Sequence, residues 1–170
     1  KNLDHFIPIG YTEEELAYAG KFKEVVTELD KEGLKDMIAH AVEKDKRKEV
    51  LDMPLLDFKL DRSESYGGGG STDVGDVSWC IPTAQINTST FPAQAPGHSW
   101  QNVSCGRTSI AHKNMLLAGK VIAATAIDLM EKPDVLQAAK DEFNKKMKRY
   151  GGYTCPVPQG AVPVIPGEKM

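Results

Sequence analysis

The longest apolar run of the chain lies within residues 108–131, TSIAHKNMLLAGKVIAATAIDLME. Thr108 or Ser109 can cap a helix here, and the pattern predicts that this helix continues to about Glu131. The sequence is nearly apolar from Met115 onward, so the helix is predicted to pack against neighbours on several sides. Three polar residues interrupt the run, which therefore indicates a buried helix and not a membrane span. They are Lys120, Thr125 and Asp128.

Apolar residues recur at helical spacing in several parts of the chain. Helices are predicted near residues 12–30, 34–44, 108–131 and 134–149. The first would begin with a capping box, in which Thr12 and Glu15 satisfy each other's backbone amides. Pro133 suits the first turn of the last helix, and Gly151 is typical of the residue that ends one.

Two shorter segments between the helices are candidate strands. Polar and apolar residues alternate weakly in Leu55–Leu60 and more clearly in Thr83–Thr88. Helices that flank a few short strands are typical of a layered α/β domain. We therefore expect an α/β fold in which helices cover one or both faces of a small sheet that contains Thr83–Thr88.

The composition is that of a globular protein and excludes several classes of partner. The 170 residues are 41% hydrophobic and 26% charged, with a net charge of −3. This charge gives no electrostatic reason to expect nucleic acid or an anionic membrane as a partner. Three widely spaced cysteines without a C-x-x-C pair fit a reduced, cytoplasmic compartment. Because the chain begins at Lys1, we interpret it as a fragment of a longer protein.

Two aspartates follow a run of glycines in residues 67–79, GGGGSTDVGDVSW. The glycines are either a natural loop that lets the backbone approach a ligand or an engineered flexible linker. Asp73 and Asp76 have two interpretations as well. One of them can cap a short helix, or one can orient a metal-bound histidine through its second ring nitrogen.

A single histidine stands in the loop PGHSWQ, residues 96–101. A single histidine in a loop is more often a surface or structural residue than a metal ligand, but the rigid Pro-Gly before His98 and Trp100 after it add weight to the ligand interpretation. Catalytic zinc sites take histidine and carboxylate ligands from the protein.

Residues 106–113, GRTSIAHK, lie at the start of the long helix. Free backbone amides there, with Arg107, His112 or Lys113, could hold a substrate carboxylate; alternatively these side chains only face water.

Three segments carry a family resemblance: GSTDVGDVSW at 70–79, PGHSWQ at 96–101 and GRTSIAHK at 106–113. With them the chain resembles the dizinc amidohydrolases of the aminoacylase and carboxypeptidase type, and the similarity extends over nearly all of residues 1–170. The resemblance implies the C-terminal half of a zinc-exopeptidase-like, three-layer αβα catalytic domain. The N-terminal half and the lid or dimerisation domain would be absent.

The resemblance also implies a chemistry. The reaction would be hydrolysis of the amide that joins an acyl or aminobenzoyl group to an amino acid such as glutamate. The aminobenzoyl-glutamate substrate would be a folate catabolite. Two Zn²⁺ ions, or Mn²⁺ or Co²⁺, would activate water and polarise the scissile carbonyl. His98 matches the last metal-ligand histidine, while Asp73 and Asp76 fall in an active-site loop. Arg107, His112 and Lys113 are the candidates for substrate binding.

On this interpretation the chain alone is inactive and depends on its missing N-terminal half, its lid domain and a homo- or hetero-oligomer. The substrate is a small N-acyl amino acid. The alternative is a non-catalytic α/β interaction module that keeps the fold without the chemistry. The lack of an H-x-D motif in the chain keeps this alternative open.

Overall fold

The structure of the protein is a computed structural model that describes residues 1–39, 41–60 and 72–162. The glycine run of residues 67–70 lies outside them, so neither interpretation of it is tested. The chain divides into two units. Unit 1 consists of Lys1–Gly68 and Gln85–Glu131, and unit 2 consists of Gly69–Ala84 and Lys132–Met170.

The described residues form helices joined by turns and irregular segments. Unit 1 contains α1 (Glu13–Gly20), α2 (Glu28–Ala39), α3 (Arg47–Asp52), α5 (Trp100–Cys105) and α6 (Ser109–Glu131), with short 3₁₀ turns at Leu3–His5 and Lys21–Glu24. Unit 2 contains α4 (Val74–Cys80) and α7 (Pro133–Tyr150).

The α/β prediction is wrong, because no β-strand occurs anywhere in the part of the chain that the structure describes. The three-layer αβα arrangement is therefore not present there. Leu55 and Leu56 are adjacent in sequence and both buried, whereas a strand sends adjacent side chains to opposite faces. Thr83–Thr88 is irregular and mostly exposed, and it runs across the boundary between the units. Among the described residues, neither segment has a neighbouring strand with which to share backbone hydrogen bonds.

The predicted helix over residues 12–30 is two helices with a break between them. The capping box at its start is confirmed: the N–H of Thr12 donates to Glu15 Oε2 at 2.7 Å, and the N–H of Glu15 donates to Thr12 Oγ1 at 3.2 Å. Thr27 and Asp30 repeat this arrangement, with bonds of 2.8 and 3.2 Å, where α2 starts. This second local cap begins α2 earlier than predicted, and α2 passes through Gly33 without stopping.

Two hydrophobic clusters form the core of unit 1. Leu34 and Ile38 of α2 pack with Val50 of α3 and with Leu56. The second cluster joins Ala19 of α1, Leu55 and Ile110 of α6, with the two tyrosines of the α1 region against it. Leu55 and Leu56 therefore serve different clusters, which explains why both are buried.

The bounds of the long helix are confirmed, but its predicted burial on several sides is wrong. Five residues at helical spacing form the buried face of α6: Ile110, Ala111, Asn114, Leu117 and Val121. Large apolar side chains on the rest of α6 are exposed, among them Met115, Leu116, Ile122, Ile127 and Met130. Across residues 1–39, 41–60 and 72–162, no helix combines the length and the apolar character that crossing a membrane requires.

Unit 2 is held by aromatic contacts around Trp79 of α4. The Trp79 ring lies 6.0 Å from that of Tyr150 and 6.4 Å from that of Tyr153, measured between ring centroids. The predicted ends of α7 are confirmed: Pro133 is its first residue, and Gly151 follows it with a φ of 79°. A left-handed residue at this position closes the last turn with little strain only if it is glycine.

Candidate functional site

The His98 loop is stiffened by hydrogen bonds on both sides of the histidine. The Ser99 hydroxyl donates to the carbonyl of Pro96 at 2.6 Å. The same oxygen accepts the N–H of Asn102 at 3.3 Å, so that Ser99 caps the start of α5. His98 itself is exposed. Its ring is thus presented to solvent from a turn whose backbone is fixed by local bonds.

His98 has a backbone conformation that side chains with a Cβ rarely adopt. Its φ is 55°, and it is the one non-glycine residue with a positive φ in the described part of the chain. Left-handed backbone costs an L-residue about 1–2 kcal/mol, although histidine tolerates it better than most. Strain of this kind concentrates at functional sites. The positive φ distinguishes His98 from the other described histidines, and metal binding by His98 stays a prediction.

Two further side chains of this motif are placed in ways that the sequence did not reveal. The Trp100 ring lies 5.9 Å from that of Phe22, which lies 5.3 Å from that of Tyr18, so an aromatic series joins the His98 loop to α1. Gln101 is only 6% exposed, and no described residue forms a hydrogen bond with its Oε1. Such an orphaned buried oxygen is rare in folded proteins.

The Lys113 ammonium, predicted to bind substrate, contacts Glu15 instead of standing free in water. It donates to Glu15 Oε2 at 2.7 Å and to the carbonyl of Gly10 at 3.1 Å. The Ser109 hydroxyl donates to the other oxygen of Glu15 at 2.5 Å. Lys113 also lies 5.9 Å from the centre of the Tyr11 ring. The start of α6 is thus bonded to α1.

Glu15 stays ionised although its side chain is almost fully buried. Burial by itself would raise the pKa of this carboxyl. The hydrogen bonds from Lys113, Ser109 and the backbone of Thr12, with the charge of Lys113, outweigh burial and lower its pKa to about 2. Lys113 therefore neutralises a permanent negative charge in unit 1.

Arg107 and His112 are both exposed at the start of α6. Arg107 precedes the helix, and the N–H of His112 donates to the carbonyl of Thr108 at 3.2 Å, within the first turn. Substrate binding by Arg107, His112 and Lys113 stays a prediction. Of the three, Lys113 is the one that the structure places in an ion pair.

The two aspartates of unit 2 have different surroundings. Asp73 precedes α4, but its side chain makes no capping hydrogen bond; the N–H of Val74 instead donates to Thr72 Oγ1 at 3.3 Å. Asp76 lies in the first turn, where its Oδ1 accepts the Tyr153 hydroxyl at 2.7 Å. His98 belongs to unit 1, so the suggested orientation of His98 by Asp73 or Asp76 stays a prediction.

The described residues do not complete a metal site by themselves. Within them, no group of three or more histidine, cysteine, aspartate or glutamate side chains is close enough to hold an ion. A catalytic zinc site usually takes three protein ligands. His98 can supply one of these, and at least one further ligand would have to come from outside the described part.

Unit 1 also contains a cavity of about 540 Å³ that the sequence did not predict. Its lining combines residues of the N-terminal lead-in, α2, the segment 56–60, the loop 87–96 and α6. Pro96, the first residue of the His98 motif, is part of this lining. No periodic pattern in the sequence predicts this cavity, because its lining comes from two helices and three irregular segments that are far apart in the chain.

Comparison with known proteins agrees with the motif-based resemblance. The chain is 36% identical over 168 residues to a subunit of the p-aminobenzoyl-glutamate hydrolase of Escherichia coli (strain K12), a match that covers 95% of this chain and 34% of that protein. The resemblance to the amidohydrolase and peptidase family is confirmed. Xaa-Arg dipeptidase of Homo sapiens is 27% identical over 93 residues, which cover 55% of this chain and 21% of the dipeptidase.

The chain is thus similar to a hydrolase subunit along nearly its whole length, and to a dipeptidase along about half of it. The Mus musculus Xaa-Arg dipeptidase gives a comparable match, 29% identity over 97 residues. This chain spans about a third of the length of the hydrolase subunit and about a fifth of the dipeptidases. No protein-family model matches the chain, and no solved structure matches it either.

Proposed function

We propose that this chain is part of a metal-dependent amidohydrolase that cleaves the amide bond of N-acyl or aminobenzoyl amino acids such as p-aminobenzoyl-glutamate. The observation that carries the proposal is the 36% identity over 95% of the chain to the hydrolase subunit. The dipeptidase matches support the same bond class, because a dipeptide bond is also an amide between an acyl group and an amino acid.

His98 is the proposed metal ligand, with Zn²⁺, Mn²⁺ or Co²⁺ as the ion. Its exposed ring, its left-handed backbone and the bonds that fix its loop support this role. Neutral imidazole is a good ligand for transition metals of this kind. Because a lone histidine does not complete a site, the proposal requires at least one further ligand from outside the described part.

The amino-acid carboxylate of the substrate is proposed to bind at the start of α6. The Arg107 guanidinium can donate two parallel hydrogen bonds to a carboxylate. His112 is exposed in the first turn of α6. Lys113 already forms an ion pair with Glu15, so we expect it to contribute less to substrate binding than Arg107.

The isolated chain is proposed to be inactive and to function only together with further protein, either a longer polypeptide or another subunit. The name of the Escherichia coli relative describes that protein as one subunit of a hydrolase. This chain spans about a third of that relative's length, which supports the same dependence.

The test is His98→Ala in the full-length gene product, with bound metal measured by elemental analysis and hydrolysis of p-aminobenzoyl-glutamate followed in parallel. We expect metal content to fall and hydrolysis to be lost, while circular dichroism is unchanged. His5→Ala is the matched control, because His5 is also exposed and lies in the short N-terminal turn. Full metal content and full activity in His98→Ala would refute the assignment.

The second candidate is an interaction module without chemistry. The exposed apolar side of α6 favours it, because large apolar patches mark surfaces that contact other proteins. The same measurement separates the two candidates: a full-length wild-type protein that holds no stoichiometric metal and hydrolyses no N-acyl amino acid supports the module.

A further inference from the structure

The cavity of unit 1 has the volume and lining of a small-molecule site. Its volume is about 540 Å³, within the range of roughly 300–1,000 Å³ that is usual for ligand pockets. Leu34, Leu56 and Leu117 contribute buried apolar surface, and the aromatic rings of Phe58 and Phe91 also line it. An apolar cavity with two aromatic rings favours a ligand that is itself flat and apolar.

The charged groups of the lining are already engaged with the chain itself. Asp57 accepts the N–H groups of Ile9 and Gly10 at 2.5 and 2.9 Å. Asp30 accepts the N–H and the hydroxyl of Thr27. Lys59 is the one cation among the described lining residues, and it lies 3.9 Å from Asp4. The cavity is therefore better suited to a neutral group than to a carboxylate.

The cavity lies next to the His98 loop. Pro96 lines the cavity, and His98 follows two residues later. Since consecutive Cα atoms are about 3.8 Å apart, the Cα of His98 is within about 8 Å of that of Pro96. A ligand in the cavity could thus place a neighbouring amide close to His98.

We propose that this cavity binds the neutral acyl or aryl group of the amide substrate, and that it selects aromatic acyl groups. The inference rests on the proposed function, in which His98 is a metal ligand near the scissile amide. The carboxylate of the amino-acid part would remain outside the cavity.

Binding is tested first on the chain itself, with 4-aminobenzamide as a neutral aromatic probe and backbone amide shifts as the readout. Ala93 lines the cavity and is half-buried, so Ala93→Phe should fill part of it. Ala138→Phe is the matched control, because Ala138 lies on α7 in unit 2, outside the cavity lining. We expect saturable shifts at Phe58 and Phe91 in the wild type and the control, and none in Ala93→Phe.

A milder second variant covers the case in which Ala93→Phe does not fold. Phe58 is 36% exposed, so Phe58→Ala should preserve the fold and weaken binding of the probe. In the full-length protein, both variants should raise KM for p-aminobenzoyl-glutamate about tenfold or more, with kcat largely kept. KM for N-acetyl-glutamate, which has a small acyl group, should change little.

The possible failures are distinguishable. Absence of saturable binding in the wild type, or equal binding in Ala93→Phe, overturns the cavity proposal even if the full-length protein hydrolyses its substrate normally. If the probe binds as expected but the full-length wild type hydrolyses no amide, the proposed function fails and with it the role of the cavity in substrate selection. Equal KM changes for both substrates would overturn the selection of aromatic groups.

Discussion

Lys113 Nζ lies 2.7 Å from Glu15 Oε2, and this ion pair joins α6 to α1 across 98 positions of sequence. Glu15 is at the same time the third residue of α1 and a partner in its capping box. One carboxylate thus completes a local motif and holds two distant helices together. The motif was visible in the sequence, whereas the contact with Lys113 was not.

Glu15→Gln should lower the stability of the chain by about 1–3 kcal/mol at pH 7, because it breaks a charged hydrogen bond and leaves Lys113 without its anion. Glutamine can still serve in the capping box, so the change reports mainly the ion pair. Urea denaturation of the chain measures the loss. Glu13→Gln is the control, since Glu13 is exposed in the same turn, and it should change stability by less than about 0.5 kcal/mol.

The same pair predicts a pH dependence. The folded pKa of Glu15 is about 2, lower than its ordinary value of 4.5, so its contribution to stability is complete above pH 4.5. The contribution is lost as the pH falls from 4.5 towards 2. The difference in stability between the wild type and Glu15→Gln should therefore shrink over this range. A difference that stays constant from about pH 7 to about pH 3 would contradict the assignment.

His98→Gly should separate backbone strain from function. Glycine adopts a positive φ freely, while alanine keeps the Cβ that makes it costly. We expect His98→Gly to be more stable than His98→Ala by about 1 kcal/mol in urea denaturation, although glycine normally destabilises a folded chain. Both variants should lose metal in the full-length protein. If His98→Ala is the more stable variant, the left-handed conformation is absent in solution.

Asp76→Asn should change the titration of Tyr153. The hydrogen bond to Asp76, followed by burial, raises the pKa of this phenol well above its ordinary value of 10. Removing the carboxylate charge should return the pKa of Tyr153 towards 10, as measured by NMR of ¹³C-labelled tyrosine with Tyr153→Phe for assignment. Asp73→Asn is the control, because the Tyr153 hydroxyl donates to Asp76 and not to Asp73.

The two asparagine variants also test the prediction that one aspartate orients a metal ligand. If so, metal affinity or activity of the full-length protein should fall about 10–100-fold in that variant. Both aspartates are exposed, so without a role at the metal each substitution should change stability by less than about 0.5 kcal/mol. Normal metal content and kinetics in both variants would leave only structural roles.

The exposed apolar side of α6 should drive self-association of the isolated chain. Ile122 is 60% exposed and Met130 is 82% exposed, and large apolar patches promote contact between proteins. Ile122→Lys should shift the sedimentation profile towards monomer. Gln137→Lys adds the same charge on α7 and should leave the profile unchanged. A wild-type chain that is monomeric at high concentration would contradict the prediction.

The sequence predicted features that are stabilised within a few neighbouring residues. The capping box of Thr12 and Glu15 and the end of α7 at Gly151 both depend on hydrogen bonds inside one helical turn. The cap at Thr27 was also visible in principle, as a threonine three residues before an acidic side chain, but the apolar spacing across it predicted one continuous helix.

The sequence-based prediction was wrong where structure depends on distant partners. A strand needs a second strand, and Leu55 and Leu56 pack instead into two helical clusters. Apolar residues on α6 indicated burial on several sides, but whether a face is covered depends on what the rest of the chain brings to it. Both errors arose because periodicity reports a side chain's preference and not its neighbours.

The sequence by itself predicted the limits of α6 and α7, proposed His98 as a metal ligand and carried the family resemblance, because these depend on residue types at short spacing. Only the tertiary structure decided that His98 has a left-handed backbone, that Lys113 neutralises Glu15 and that a cavity lies beside Pro96. The left-handed turn at His98 depends on how Ser99 bonds to Pro96 once the loop has folded. The ion pair and the cavity depend on contacts between segments that are far apart in the chain.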